Sequence, residues 1–179
     1  MAQEQSTKVV SGKVRFCYVN AFEARAMNEG EEPKYSVCIL ISKSDKATLD
    51  KINAAIEAAK IVGKAKLAGK NGKVPTNVKT TLRDGDIDRP DDEAFAGMMF
   101  VNANSSRRPQ VVDSSLNPII DPEEFYSGCY GRASVNFYAY DFNGNKGIAC
   151  GLNNLQKLED GERFDGGSTA EEDFGDDLA

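Results

Sequence analysis

The sequence predicts a mainly β fold: a small Greek-key barrel with one inserted helix, followed by a disordered acidic tail. Three observations carry this. Several segments read as short strands, and the most regular of them, residues 131–140, alternates side chains with the period of two that marks a strand. Only residues 44–63 repeat apolar residues at spacings of three and four, the stripe of a half-buried helix. Residues 159–179 hold nine acidic side chains and one basic one, −8 in a chain of net charge −6, so residues 1–158 carry +2.

Residues 8–19 read as one long strand, with Val14, Phe16 and Tyr18 on one face, Lys13 and Arg15 on the other, and a bulge or bend at Gly12. Residues 20–33, with Asn28, Gly30 and Pro33, read as a loop. Residues 34–42 form a second strand, apolar on both faces (Tyr35, Val37, Ile39 and Ile41 against Cys38 and Leu40) and therefore central. Ser44 is placed as the helix N-cap, with Asp45 in the first turn. Leu49, Ile52, Ile56 and Ala59 make the buried stripe, which ends near Gly63 or Gly69.

From Lys60 to Arg83 seven basic residues occur without an acid, interrupted by Gly63, Gly69 and Gly72. This predicts a flexible basic stretch, either a solvated loop or a phosphate-contacting arm. Residues 84–97 read as an acidic loop, 98–103 as a short strand and 105–109 as a basic turn. Val111-Val112 pairs briefly, and residues 122–126 make one helical turn ending at Gly128. In residues 131–140, Ala133, Val135, Phe137 and Ala139 point inward. Arg132, Ser134, Asn136, Tyr138 and Tyr140 point outward. Asn143-Gly144 is a hairpin signal, leading to a closing strand with Ile148, Cys150 and Leu152 inward and an extension through 158. The expected organisation is a domain over residues 1–158 and a tail over 159–179.

Composition excludes much chemistry. No histidine is present, which removes the commonest general base and metal ligand. No phosphate-binding loop or dinucleotide fingerprint occurs. The four cysteines (Cys17, Cys38, Cys129, Cys150) form no Cys-x-x-Cys pair and sit in strand-like runs, as small core hydrophobes do. The acid-rich run 84–93 lacks the order of a calcium loop. No catalytic residue, metal or cofactor is expected, and the chain is read as a non-enzyme. No 18-residue apolar run and no secretory signal occur, so a cytoplasmic protein with no membrane partner and reduced thiols is expected.

Short antiparallel strands with one helix suit an oligonucleotide-binding (OB) Greek-key barrel. Such barrels bind single strands by a basic groove that tracks phosphates and by aromatic faces on which bases stack. The basic candidates are Lys13, Arg15, Lys64, Lys66, Lys70, Lys73, Lys79, Arg83, Arg107, Arg108 and Arg132; the stacking candidates are Tyr138 and Tyr140. On periodicity alone, cross-strand pairing on a wet sheet is the better account of the two tyrosines, because tyrosine has a high strand propensity. The tail favours the binding reading, because an anionic segment would compete for a basic groove. Phe174, Asp176, Asp177 and Leu178 offer partner proteins apolar anchors in an acidic setting.

The chain resembles the single-stranded DNA-binding proteins of tailed bacteriophages. The similar stretches are Gly12–Phe16, Arg107–Val112, Phe125–Arg132, the hairpin Tyr138–Gly147 and the acidic end. The resemblance implies an OB barrel that coats single-stranded DNA, without strong sequence preference, in phage replication and recombination. Through the tail, phage or host replication and recombination proteins would be partners; a homodimer is compatible with the sequence. Two departures stand out. The standard barrel places its helix after the third strand, whereas here it follows the second, unless residues 8–19 fuse two strands or residues 20–33 hide one. The tail also ends in Asp176-Asp177-Leu178-Ala179, without the terminal aromatic of some related tails. The rival readings are a non-enzymatic phage protein-interaction module whose tail mimics DNA, and an acid-dependent metal nuclease using Asp84, Asp86 or Asp88.

Overall fold

The computed structural model describes residues 7–26, 30–68, 72–73, 78–142 and 145–164. Five strands close on themselves: β2 (Val14–Arg25), β3 (Lys34–Ser42), β6 (Met98–Ser105), β9 (Asn145–Glu159) and β8 (Tyr130–Phe142). Four of the pairings are antiparallel, while β6 runs parallel to β9 through Ala103–Cys150 and Asn104–Gly151. Val14–Gly131 and Arg15–Tyr130 join β2 to β8 and complete the ring. This is a Greek-key barrel of the OB kind, in which closure removes the exposed edges of an open sheet.

Alternation builds the core. Phe16, Val37, Ile39, Val101, Ala103, Val135, Phe137, Ile148, Cys150 and Leu152 all point inward and are buried. A register shift in the β8–β9 ladder between Ser134 and Val135 brings Leu155 to the interior as well. The helix α1 (Lys46–Val62) closes one end, placing Ile52, Ala55, Ile56 and Ala59 in the same core. Its N-cap is Asp45, whose carboxylate accepts Thr48 N, and not Ser44; Ser44 Oγ instead meets Ser42 Oγ at 2.7 Å. Leu49 is only partly buried, and Thr48 takes the inner position, accepting Gly12 N.

Residues 8–19 are two strands, β1 (Lys8–Val10) and β2, split at residues 11–13. Both pair with β8, so they are two halves of one barrel strand, and the helix does follow the second barrel strand. Counted along the chain, the fused-strand alternative holds: β1 and the start of β2 both lie within residues 8–19, and α1 follows the third strand, β3. β2 continues to Arg25, so the first six residues of the expected loop 20–33 are strand; register shifts on either side of Asn20 break the alternation that would have marked them. Residues 122–126 form a turn without a helix, closed by Asp121 accepting Glu123 N and Glu124 N.

The basic stretch is partly ordered. α2 (Lys64–Leu67) buries Leu67 in the core, and β4 (Lys79–Thr80) runs parallel to β9. The acidic segment after it is folded too. β5 (Arg83–Asp84) pairs with β6, α3 (Gly85–Asp88) follows, and a 3-10 turn (Glu93–Phe95) ends it. Lys43 clamps this flap by ion pairs to Asp84 (2.7 Å) and Asp86 (2.6 Å). Phe95 then packs edge-on against Phe100, ring centroids 5.0 Å apart, over Cys17, Cys38 and Leu40. That second cluster, outside the barrel wall, is why β3 is apolar on both faces. Among the described residues no helix is long and apolar enough to cross a membrane.

Candidate nucleic-acid interface

The second half of β2 departs from simple alternation. Tyr18 sits at φ +48°, in the left-handed region, and is 56% exposed, so it does not share the inward face of Val14 and Phe16 as its spacing predicts. Beyond it, Asn20, Phe22 and Arg25 line one wall of a groove of about 810 Å³. Arg108, Tyr126 and Arg163 belong to the facing side. Arg108 lies over the Phe22 ring at 5.8 Å, and Arg163 over Tyr126 at 4.3 Å. Stacking of this kind holds guanidinium planes open to anions while their faces rest on aromatic carbon. Arg163 is also paired with Glu123 at 2.9 Å.

The chain remains on the barrel past the end of β9. Residues 160–164 form a strap across the 126–130 turn. Tyr126 Oη donates to Gly161 O and accepts Gly161 N, and Phe164 N donates to Ser127 O. Gly128, at φ +120°, is required at the crossing, because a Cβ there would run into Glu162 O. A hydrogen bond from Lys157 holds Asp160 below the usual carboxylate range, and burial pushes the Tyr126 phenol up.

The expected site residues do not form one surface. Lys13 is ion-paired with Glu159. Arg15 donates to Gly128 O and Glu162 O and is sandwiched between the rings of Tyr130 and Phe164, at 5.0 and 4.0 Å. These two cations hold the strap. Tyr138 and Tyr140 lie eight and ten residues beyond Tyr130 along β8, roughly 26 and 33 Å of strand at about 3.3 Å per residue. They cover Gly151 and Gly147 of β9, close to the backbone of Lys79. Burial raises the Tyr138 phenol pKa. The Lys64 and Lys66 region is on the opposite side of that hairpin, since Gly63 abuts the inward-facing Ala139. Lys73 is exposed, Arg83 faces Phe100 across the β5–β6 pair, and Arg107 N donates to Ser105 Oγ. Arg132 donates to Ser11 O. Among the described residues, only Arg108 of the expected set reaches the groove. Lys70, the Asn143-Gly144 turn, and Phe174, Asp176, Asp177 and Leu178 lie outside the described residues.

The groove residues Tyr18, Phe22, Arg25, Tyr126 and Arg163 were missed. The three aromatic and basic residues within Tyr18–Arg25 (Tyr18, Phe22 and Arg25) were the available signal, obscured by the bulge. Among the described residues no group of three or more His, Cys, Asp or Glu could hold a metal ion.

Comparisons with known proteins agree with this architecture. The single-stranded DNA-binding protein of bacteriophage Enc34, solved in complex with ssDNA, superposes with a TM-score of 0.75. It is 24% identical, over 92% of this chain and 96% of that one. A C-terminally truncated form gives 0.74 at 27% identity, over 88% of each chain. The fold extends to gp2.5, the single-stranded DNA-binding protein of bacteriophage T7, at TM-score 0.62 and 13% identity, over 90% of this chain and 97% of that one. Protein p50 of Acyrthosiphon pisum secondary endosymbiont phage 1 is 32% identical over 179 residues, 96% of this chain and 94% of that protein. The family model described as Enterobacter phage Enc34, ssDNA-binding protein, matches residues 7–179, and the chain belongs to that family of phage single-stranded DNA-binding proteins.

Proposed function

We propose that this protein coats single-stranded DNA during phage replication and recombination without cleaving it, and that the strand runs through the groove between β2 and the 106–127 segment. The observation that carries this reading is the groove itself: three arginines, two of them stacked on aromatic rings, beside the exposed ring of Tyr18 on an OB barrel. Arginines meet phosphates there, and the aromatic faces accept bases of any sequence. Lys79, Tyr138 and Tyr140 extend the contact along the β8–β9 hairpin. The tail, with six acidic and no basic side chains in residues 165–179, competes for the groove from its attachment at Phe164 and presents Phe174, Asp176, Asp177 and Leu178 to replication proteins. Its starting point supports this, because Phe164 packs beside Tyr18 and Ser127, which also line the groove.

The test is fluorescence anisotropy with a labelled dT oligomer, comparing the full chain with one ending at Phe164, which keeps the strap. Tighter, salt-sensitive binding by the shorter chain is expected. Binding by neither form would overturn the reading and favour a protein-interaction role.

A further inference from the structure

Next to the groove is a second, smaller hollow of about 260 Å³, between the barrel wall, the flap and the strap. It is small against the roughly 300–1,000 Å³ of sites that enclose a whole drug-sized ligand, and Tyr18 and Phe164 line it, with the buried Phe95 behind them. Flat aromatic walls around a space of this size suit a single planar heterocycle. Tyr18 and Ser127 line both the hollow and the groove, so a strand in the groove can turn one base into it while its phosphates stay on the arginines. Tyr18 is held at the junction by a backbone conformation that large side chains rarely adopt.

Two polar groups line the hollow. Asp92 is acceptor-only; its Oδ1 takes Ala94 N, and Oδ2 has no hydrogen-bond partner among the described residues. Ser127 Oγ accepts Val19 N, which leaves its O–H to donate. A carboxylate beside a hydroxyl donor selects among the bases. Guanine alone carries two adjacent donors, N1–H and the N2 amino group, next to an acceptor, O6. Adenine and cytosine set a ring-nitrogen acceptor beside their amino donor, which a carboxylate repels, and thymine offers one N–H between two carbonyls.

We propose that this hollow is a base subsite for a guanine of the bound single strand, with Asp92 accepting from its N1–H and N2 amino group. The inference rests on the single-strand reading above and adds to it a modest preference at one nucleotide.

The experiment compares full-length protein on a short all-dT oligomer with the same oligomer carrying one central dG, dI or dA. The dG oligomer should bind roughly five- to tenfold tighter than all-dT, in line with a two-hydrogen-bond contact to a base. The dI oligomer, which lacks the N2 amino group, should lose most of that gain, and dA should show none. Asp92→Asn, which keeps an oxygen for Ala94 N, should abolish the difference between dG and dT. Equal binding of dG and dT, equal binding of dG and dI, or a preference that survives in Asp92→Asn would overturn the subsite. Failure of every oligomer to bind would overturn the single-strand reading itself.

Discussion

Replacing Arg25 and Arg108 together by alanine isolates the electrostatic part of the groove. Arg163 is already engaged with Glu123, whereas among the described residues neither Arg25 nor Arg108 has an ion-pair partner. If each meets one phosphate, each releases condensed counterions when it binds, contributing about 0.7 to the slope of log K against log salt for a single strand. Losing both lowers the slope by about 1.4, so that between ~50 mM and ~200 mM salt the wild type loses about sevenfold more affinity than the double variant. The assay is an anisotropy titration of a labelled dT oligomer across a salt series, with circular dichroism to confirm the fold. Both arginines lie on the barrel's outer side, so the core should be untouched. An unchanged slope would refute the argument and move the phosphate path to another surface, with Lys79, Tyr138 and Tyr140 the next to be substituted.

Three further outcomes follow from the packing. Phe95→Ala should cost about 3–5 kcal/mol in urea unfolding, because the ring is 1% exposed and anchors the flap on Phe100; a loss below about 1 kcal/mol would show that the flap folds independently of the barrel. Lys43 holds Asp84 and Asp86 below their ordinary value of 3.8, so its stabilisation is in place above that pH and fades as pH falls through the lowered values. Lys43 is itself raised above 10.5, so the same contribution persists at pH 10.5 and fades only beyond it. The Tm difference between wild type and Lys43→Met should therefore narrow at both extremes, and a constant difference across pH would discount the clamp. Finally, all four cysteines are buried, and the Cys17 thiol is pushed far up by its hydrogen bond with Cys38 and by burial. A thiol reagent should titrate none in the native protein and four after denaturation; rapid native reaction would contradict the packed flap.

The barrel itself could be read from the chain because its strands obey local rules. Residues 131–140 alternate without interruption, and the predicted inward and outward sets are those observed. The helix stripe of Ile52, Ile56 and Ala59 was equally plain. Other features needed partners distant in sequence. Cys38 and Leu40 looked like the second face of a central strand, and what covers them is Phe95, over fifty residues later. Asp84 and Asp86 looked like solvated loop acids until Lys43 closed on them. The groove is the sharpest case. Tyr18, Phe22 and Arg25 fall in one strand, but a left-handed residue and two register shifts rotate that strand out of its pattern. Tyr126 and Arg163 arrive from separate segments.

By itself the sequence determined a β barrel with one helical plug, a charge division between body and tail, and the absence of histidine chemistry. All of these depend on residue type and short spacing, which act through local propensity, burial and net charge. Only the tertiary structure decided which cations hold the strap and which line the groove. Arg15 and Arg108 are chemically alike and both lie in segments that resemble the family. Arg15 is committed to two backbone carbonyls and two rings, while Arg108 rests on Phe22 with its charge facing the groove. The difference is one of neighbours, and neighbours more than eighty residues apart in the chain are set by how the barrel closes.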